Sequence, residues 1–524
     1  MKNLLLLPFL ILSISVSAQN WSQYQKRVPE DRDNNDEFGN AVAIDGDYAI
    51  VGAKREDHDA NGMNQADDAG ACYILKKEGG NWSQEAKLVA ADRESQDWFG
   101  HRVDISGTYV IAGAPFEMEP AGAGAAYIFE RSGNGTWTQA AKLEAPIRKS
   151  SDYFGFSVGI SGDWAVCGAY FEDEDENEAN EILSAGSAYI FKRDNGLNTW
   201  EFYQKIVASD RELDARFGMS VAIDGDQIIV GSEFDDVDLP SNGYQSNAGS
   251  AYIFRLNGGT WEQEAHLTAS DYGSSENFGW AVDVSEDYAV VGAYKNDTDE
   301  DGLNSSPDAG AAYIFERGSG AWPQVAKVVG SDRANVDFFG YDVAVNGTTV
   351  AVGAYRQDRN FEGQENWTDA GAVYVYDRNS NGEWLESQKI THSERTTLDQ
   401  LGYSVDIDGD EIIAGANMED EDENEDNPLP EAGSVFFFSN SPNGIYEDEV
   451  GQFSIYPNPT TDVLNVKTDG AILLYEIVDL MGRSIVEERT MRLDNIRVDV
   501  SQLTEGVYMI RLNKGKAVPF AVVR

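Results

Sequence analysis

The amino-acid sequence predicts an all-β protein, a seven-bladed β-propeller followed by a small β-sandwich. Seven times a Trp is followed by a Gly eighteen positions later, and successive copies of this Gly lie 55 to 63 residues apart. The residue before the Gly is Phe in six copies and Leu401 in the seventh. A period of this length, filled with strand-like runs, is typical of a radial array of small sheets. The pairs are Trp21/Gly39, Trp82/Gly100, Trp137/Gly155, Trp200/Gly218, Trp261/Gly279, Trp322/Gly340 and Trp384/Gly402.

Each repeat predicts four antiparallel strands. In the first repeat, residues 41–44 and 48–51 form two strand-like runs around an Asp45-Gly46 pair, the usual signal of a tight hairpin turn. A variable loop follows, and Ala-Gly then precedes a third strand such as residues 124–129. A fourth strand carries the Trp and a Lys, as in Trp137 and Lys142. Four strands in each of the seven repeats make a seven-bladed propeller.

The two ends of the repeat array predict a closed ring. Residues 20–28 match a fourth strand, yet they precede the first repeat, and the last repeat stops after its third strand at residues 436–438. We therefore expect the N-terminal strand to complete the last blade. Closure of this kind leaves only short, protected strand edges.

Outside the repeats the composition changes. Residues 1–18 carry a basic start, an apolar run and a small residue at the end, as a cleaved secretory signal does. The apolar run is too short to span a bilayer, and no other run approaches that length. The sequence thus divides into a signal peptide (1–18), a propeller (19–440), a linker (441–450) and a small β module (451–524).

The charge of the chain excludes one class of partner. With 39 Lys and Arg against 91 Asp and Glu, the formal net charge is −52, whereas nucleic-acid binding requires a basic patch. Either salt or bound cations must offset part of the self-repulsion, and an acidic surface adapted to salt explains the composition equally well. Cys72 and Cys167 stand where other repeats have Ala or Val. We therefore expect no disulfide.

The repeat pattern resembles the FG-GAP repeat family, whose members include the propeller head of integrin α subunits. The resemblance covers residues 20–438 and rests on Phe-Gly followed by a strand and Gly-Ala, as in Phe99-Gly100 and Gly113-Ala114. It implies a seven-bladed propeller. In the integrin family, calcium is held by an acidic loop between the first two strands. Here that connection is only a tight turn, so the resemblance implies no calcium at those positions.

The C-terminal module resembles the sorting domain of type IX secretion cargo of Gram-negative bacteria. The resemblance rests on Tyr456-Pro457-Asn458-Pro459, on residues 475–482 and on residues 503–511, in that order. It implies recognition by the secretion machinery, passage across the outer membrane and removal of the module. The protein is then extracellular or attached to the outer cell surface.

The variable loop between the second and third strands predicts a calcium site in three repeats. Oxygen-bearing side chains at alternating positions, a Gly at the sixth position in each and a carboxylate at the twelfth match the spacing of calcium loops in EF-hands, although no flanking helices are predicted. Solvated acidic loops are the alternative. The proposed ligands are Asp57, Asp59, Asn61 and Asp68; Asp297, Asp299, Asp301 and Asp308; and Asp358, Asn360, Glu362 and Asp369.

Two further loops match this pattern only in part, because both lack the Gly at the sixth position. Their candidate ligands are Asp173, Asp175 and Asn177 in the third repeat, and Asp420, Asp422, Asn424 and Glu431 in the seventh. The second repeat has only a short loop at residues 116–120. This loop would leave a notch among taller neighbours, where a partner could dock.

The sequence gives weaker indications of a ligand. Tyr244 and Trp367 are aromatic residues in loops where no other repeat has an equivalent. They suit a glycan or protein partner, but they could equally stabilise their own loops by packing within them. The recurring Asp-Arg pair before the Phe-Gly, as at Asp92-Arg93, is interpreted as scaffold.

No motif predicts catalysis. The four His residues fall at non-equivalent positions, and no nucleophile elbow or phosphate loop occurs. We therefore expect a monomeric, calcium-stabilised propeller that binds an extracellular protein or polysaccharide through one face, without a transmembrane segment. The alternatives are an extracellular hydrolase acting on polysaccharide and a purely structural surface protein.

Overall fold

The computed structural model describes most of the chain. The described residues are 21–118, 120–239, 243–318, 320–360, 367–393, 395–424, 427–440, 454–456, 458–478, 484–504, 506–512 and 518–523. The predicted signal peptide and linker lie outside them. The chain divides into one compact unit over Asn20–Ser439 and a second that holds Asn440–Arg524. Among the described residues, no helix is long and apolar enough to cross a membrane.

The strands of the first unit follow the predicted template. In its first half they are β1 (Ser22–Arg27), β2 (Ala41–Asp45), β3 (Tyr48–Ala53), β4 (Ala71–Glu78), β5 (Asn81–Leu88), β6 (Val103–Ser106), β7 (Tyr109–Ala114), β8 (Ala125–Arg131), β9 (Trp137–Leu143), β10 (Val158–Ser161), β11 (Trp164–Ala169), β12 (Ser187–Asp194) and β13 (Thr199–Ile206). In its second half they are β14 (Ser220–Asp224), β15 (Gln227–Ser232), β16 (Val237–Leu239), β17 (Gly243–Gln245), β18 (Ser250–Asn257), β19 (Thr260–Leu267), β20 (Val282–Ser285), β21 (Tyr288–Ala293), β22 (Ala311–Glu316), β23 (Gln324–Val328), β24 (Val343–Asn346), β25 (Thr349–Ala354), β26 (Ala372–Arg378), β27 (Trp384–Ile390), β28 (Ser404–Asp408), β29 (Glu411–Ala416) and β30 (Ser434–Ser439).

These strands form a seven-bladed β-propeller. Six blades are antiparallel sheets of four consecutive strands, apart from the hairpin β16–β17 inserted in the fourth blade. In the fifth blade the outer strand begins at Gln324, two residues after Trp322. The intervening Pro323 has no N–H to donate to a ladder, which explains the late start.

The ring is closed as the sequence predicts. The seventh blade has the strand order β1-β30-β29-β28, so the N-terminal strand supplies its outer edge. Trp21, just before β1, is only 3% exposed. Each innermost strand contacts the innermost strand of the next blade, and β28 contacts β2.

The Phe-Gly and Gly-Ala motifs are explained by the contact between blades. Phe99 is fully buried and packs edge-on against Tyr127 at 5.5 Å between ring centroids. Gly100 has φ +88°, and a Cβ there would lie 2.6 Å from the carbonyl oxygen of Ala71. A Cβ on Gly113 would lie 1.9 Å from the carbonyl oxygen of Gly155 in the next blade. Neighbouring backbones therefore approach too closely for a side chain at these positions.

The second unit is rich in strands. Its strands are β31 (Ser454–Tyr456), β32 (Val463–Val478), β33 (Ser484–Asp499), β34 (Gly506–Leu512) and β35 (Val518–Val522). They are hydrogen-bonded in the order β31-β32-β34-β35, with β33 paired to β32. Its core includes Leu464, Val498, Ile510 and Phe520.

Candidate binding face and acidic loops

One repeated hydrogen bond sets the length of the acidic loops. Oδ1 of the Asp at the first position accepts the backbone N–H of the residue at the twelfth position. It occurs in six loops, as Asp57–Asp68 at 2.7 Å, Asp173–Ser184 at 2.7 Å, Asp236–Asn247 at 2.8 Å, Asp297–Asp308 at 2.9 Å, Asp358–Asp369 at 2.9 Å and Asp420–Glu431 at 2.9 Å. The twelve-residue spacing therefore has a structural cause that requires no metal.

The Asp at the third position also binds the backbone of its own loop. Oδ1 of Asp59 accepts the N–H of Asn61 at 2.8 Å and that of Met63 at 3.1 Å. Backbone hydrogen bonds from Met63 and Asn61 lower the pKa of the Asp59 carboxyl to about 2. Asp175, Asp299 and Asp422 accept equivalent backbone bonds or an Asn side chain in their loops.

Each of four loops is attached to the next blade by the Arg of the Asp-Arg pair. Arg93 donates to the carbonyl oxygens of Asp57 at 2.8 Å and Asn64 at 2.7 Å. Its neighbour in sequence, Asp92, instead accepts a hydrogen bond from Lys142 at 2.7 Å. Arg32, Arg211 and Arg333 make the same pairs of bonds. The pair is scaffold, but its two members bind different partners.

The structure brings some of the predicted ligands close together. Burial raises the pKa of the Asp68 carboxyl. The positive charge of Arg55 lowers this pKa, and the negative charge of the nearby Asp57 raises it. Burial also raises the pKa of Asp369, with a contribution from Asp358. Within the described ranges, however, none of the three loops that match the calcium pattern in full gathers three carboxylates within 4.8 Å of one another.

In the loop of the third repeat, three carboxylates do lie close together, and they belong to residues other than the predicted ligands. Glu172, Glu174 and Glu178 place carboxylate oxygens within 4.8 Å of one another, whereas the sequence indicated Asp173, Asp175 and Asn177. The Lys205 Nζ lies 2.9 Å from Oε2 of Glu172 and 3.1 Å from Oε1 of Glu178, so that a positive charge already accompanies the three carboxylates.

The remaining predicted residues are dispersed. Asn61, Asn177, Asp301 and Asn424 are exposed, whereas Asn360 is buried. Glu362 lies outside the described residues. Tyr244 is 62% exposed and donates a hydrogen bond to Asp236 in its own loop. Trp367 is 42% exposed and lies in the loop of another blade. The structure does not bring these two aromatic residues together.

Two groups of aromatic side chains, which the sequence analysis missed, lie beside the loops. We call them together the aromatic face. Its first group includes Trp98, Phe116, Tyr153, Phe156 and Tyr170, whose neighbouring ring centroids are 4.5 to 5.8 Å apart. Its second group includes Trp280, Tyr294, Phe338, Tyr341, Tyr355 and Tyr403.

A basic residue links the two groups. The Lys54 ammonium lies 5.6 Å from the ring centroid of Trp98 and 5.7 Å from that of Tyr403. Its charge is paired with Glu37 at 2.6 Å. The aromatic face is therefore continuous between the first group and the second.

Unusual backbone conformations direct side chains onto this face. Trp98, Tyr153 and Phe338 immediately precede a Phe and have φ of +56°, +54° and +55°, which bulky residues rarely adopt. Their N–H groups bond to the preceding blade, as Trp98 does to the Asp68 carbonyl oxygen at 3.2 Å. The residue at this position varies between repeats beside an almost invariant Phe-Gly. This contrast between a variable residue and an almost invariant Phe-Gly is the sequence signal that could have indicated the aromatic face.

A cavity of about 390 Å³ opens on the aromatic face at the short loop of the second repeat. It is lined by the rings of Trp98, Phe116 and Tyr153 and by the polar residues Asp68 and Gln96, among others. We call it the aromatic notch. It lies where the sequence predicts a gap among taller loops.

A second cavity, of about 370 Å³, follows the propeller axis and is lined by the innermost strand of every blade. Carboxylates within it bind the backbone of the next blade, as Asp104 does to Ile160 at 2.7 Å and Asp283 to Val345 at 2.7 Å. Burial raises the pKa of Asp104 to about 7 and that of Asp283 to about 8. These groups join neighbouring blades.

Comparison with protein families identifies the repeat. The FG-GAP repeat model matches residues 21–75, 82–129, 137–191, 200–254, 261–315, 322–376 and 384–438, which together cover more than half of the chain. The chain belongs to the FG-GAP repeat family. A second model, the secretion system C-terminal sorting domain, matches residues 454–520 of this FG-GAP protein.

Other comparisons add little. A search of curated proteins finds no match to this FG-GAP protein. One similar solved structure is that of Saccharomyces cerevisiae Sqt1, with 7% sequence identity and a TM-score of 0.40 over 96% of this chain and 99% of that chain. At this TM-score the similarity carries no argument about fold or function.

Proposed function

We propose that this secreted FG-GAP propeller is a non-enzymatic adhesion or interaction module. It binds an extracellular polysaccharide or protein on its aromatic face, at the outer surface of a Gram-negative bacterium. The observation that carries the proposal is the aromatic face itself, where half-buried rings from several blades meet beside a cavity.

The composition of the face supports binding. Aromatic side chains supply a large contact area at a low cost in conformational entropy, and binding surfaces are enriched in them. The chain as a whole has a net charge of −52. An extensive group of uncharged rings on such a protein is therefore a distinctive surface.

Binding by the full-length protein tests this function. The protein should bind one glycan or one extracellular protein saturably, and Tyr341→Ala with Tyr355→Ala should weaken that binding at least tenfold. Phe202→Ala is the control, because Phe202 is 44% exposed but lies on the outer strand β13. Release of new reducing ends from a polysaccharide would instead favour the hydrolase. Failure to bind any probe would favour a purely structural role.

We also propose that the loops beginning at Asp57, Asp297 and Asp358 bind Ca²⁺. Carboxylate and amide oxygens are suitable ligands, and a carboxylate that accepts a backbone N–H keeps further acceptor sites. The proximity of Asp57 to Asp68 supports this, because a cation would relieve their repulsion. At a free calcium about tenfold above the dissociation constant, each site would add about 1.4 kcal/mol to the free energy of unfolding.

Chelation and a single substitution test the calcium proposal. Chelation should lower Tm, and millimolar calcium should restore it where sodium at equal ionic strength does not, because coordination selects for ion size and ligand geometry. Asp299→Ala should remove one bound ion, measured by metal analysis. The control is Asp287→Ala, whose side chain is 69% exposed. Equal rescue by sodium, or an unchanged ion count in Asp299→Ala, would contradict the proposal.

A further inference from the structure

The aromatic notch has three rings as walls. The Phe116 ring lies between the other two. Its centroid is 4.6 Å from that of Trp98, with the ring planes at 73°, and 5.0 Å from that of Tyr153, with the ring planes at 60°. The rings come from three successive segments of the chain, so the notch exists only when the second and third blades are assembled. Its volume of about 390 Å³ falls within the range of about 300–1,000 Å³ typical of ligand pockets.

Polar side chains line the same cavity. Asp68, Gln96 and Ser151 offer a carboxylate, an amide and a hydroxyl. Within the described structure, the side chains of Gln96 and Ser151 form no hydrogen bond to another residue. Their backbones are fixed, because the Gln96 N–H donates to Asp67 at 2.8 Å and the Ser151 N–H to Ala121 at 3.1 Å. The backbone positions that carry the Gln96 and Ser151 side chains are thus fixed beside the rings.

The absence of a side chain at Gly122 leaves room for the Tyr153 ring, the third wall of the notch. A Cβ on Gly122 would lie 2.9 Å from Cε1 of Tyr153, and Gly122 has φ +68°. The Tyr153 ring therefore lies directly over the backbone of the short loop. Any side chain at this position would displace the ring and strain the backbone.

The charge of the notch selects among ligands. Its described lining holds one carboxylate, Asp68, and neither Lys nor Arg. The nearest cations, Lys54 and Arg55, lie against the Trp98 ring and are both paired with Glu37, so an anionic ligand would have to compete with that carboxylate for a counter-charge. A methylated ammonium group would suit the rings and Asp68, but it would offer no hydrogen-bond partner to the Gln96 amide or the Ser151 hydroxyl. A neutral sugar uses both features, since its C–H faces stack on rings and its hydroxyl groups bond to carboxylate, amide and hydroxyl.

We infer that the aromatic notch binds a neutral hexopyranose unit of a polysaccharide. The sugar packs against Trp98 and Tyr153, and its hydroxyl groups bond to Asp68, Gln96 and Ser151. The inference rests on the proposed function and specifies its ligand class.

Calorimetry with the full-length protein tests the inference. The probes are hexasaccharides of a glucan, a mannan, a galactan and chitin, with a uronate hexamer and choline as charged comparisons. At least one neutral hexamer should bind. Trp98→Ala and Tyr153→Ala should each weaken binding at least tenfold, and Gln96→Ala at least threefold, whereas Phe202→Ala should have no effect. Gly122→Ala is a second route to the same loss, should Trp98→Ala fold poorly.

Each other outcome overturns the inference. Binding of a neutral hexamer that is unaffected by Trp98→Ala and Gly122→Ala places the sugar elsewhere, and the proposed function survives. Binding of choline or of the uronate hexamer alone assigns a charged ligand to the notch. Capture of a protein partner without affinity for any hexamer also leaves the proposed function standing and removes this ligand class.

Discussion

At the scale of single residues, a carboxylate in this protein acts chiefly on nearby backbone N–H groups. Asp57 fixes the end of its loop, Asp59 fixes the turn within it, and Asp283 joins two blades. The sequence identifies these acids and their spacing, but the same spacing suits a metal ion and a backbone hydrogen bond. The choice between them depends on where the second carboxylate oxygen points, which no sequence pattern reports.

The axial carboxylates predict a specific pH dependence. The pKa of Asp283, raised to about 8 by burial, exceeds the value of about 3.9 expected in the unfolded chain. The folded state therefore holds a proton that unfolding releases. The contribution of Asp283 to the free energy of unfolding falls as pH rises from about 4 to about 8.

Asp283→Asn should therefore give a flatter dependence of Tm on pH than the wild type between about pH 5.5 and pH 8.5. Its Tm should also be lower, because an amide has one oxygen for the two N–H groups that Asp283 now accepts. Thermal melts at constant ionic strength measure both effects. The exposed Asp287→Asn should keep the wild-type slope. Parallel curves for wild type and Asp283→Asn would contradict the assignment.

At the scale of elements, strands and turns were predictable and the aromatic face was not. Asp-Gly turns and short apolar runs indicate the hairpins directly, and Pro323 explains the one shortened outer strand. The direction of Trp98 depends on a positive φ that is imposed by hydrogen bonds from another blade. Such long-range constraints leave no local periodicity in the sequence.

The closing strand gives the prediction at this scale. Deletion of residues 21–27 should expose the edge of β30 and cause aggregation, because an unpaired edge pairs with another chain. Trp21→Ala should cost about 3–5 kcal/mol of unfolding free energy, as expected for a buried Trp. Light scattering and denaturant titration measure the two effects. Ser22→Ala, at an exposed site in β1, should match the wild type, and a monomeric deletion variant would show that β1 is dispensable.

At the scale of the whole molecule, two compact units have separate tasks. The propeller unit carries the aromatic face, and the sorting domain directs the protein to secretion. Each unit has its own apolar core. Function and delivery are therefore separable in experiments.

Removal of residues 451–524 should leave a folded propeller that stays inside the cell, since the deleted residues carry the sorting domain. Cell fractionation measures delivery, and a thermal melt of the retained protein shows whether the propeller is folded. The full-length Asp287→Ala protein is the delivery control. Normal delivery of the truncated chain would contradict the role assigned to the module.

The pairing of β1 with β30 also has a consequence for biosynthesis. Lys26 and Glu419 form a buried ion pair across 393 positions of sequence. Contacts of such separation form late, because the long intervening chain must first be ordered. A growing or truncated chain therefore cannot complete its ring. Since the sorting domain follows β30, any chain that presents an intact sorting domain already contains the strands of every blade.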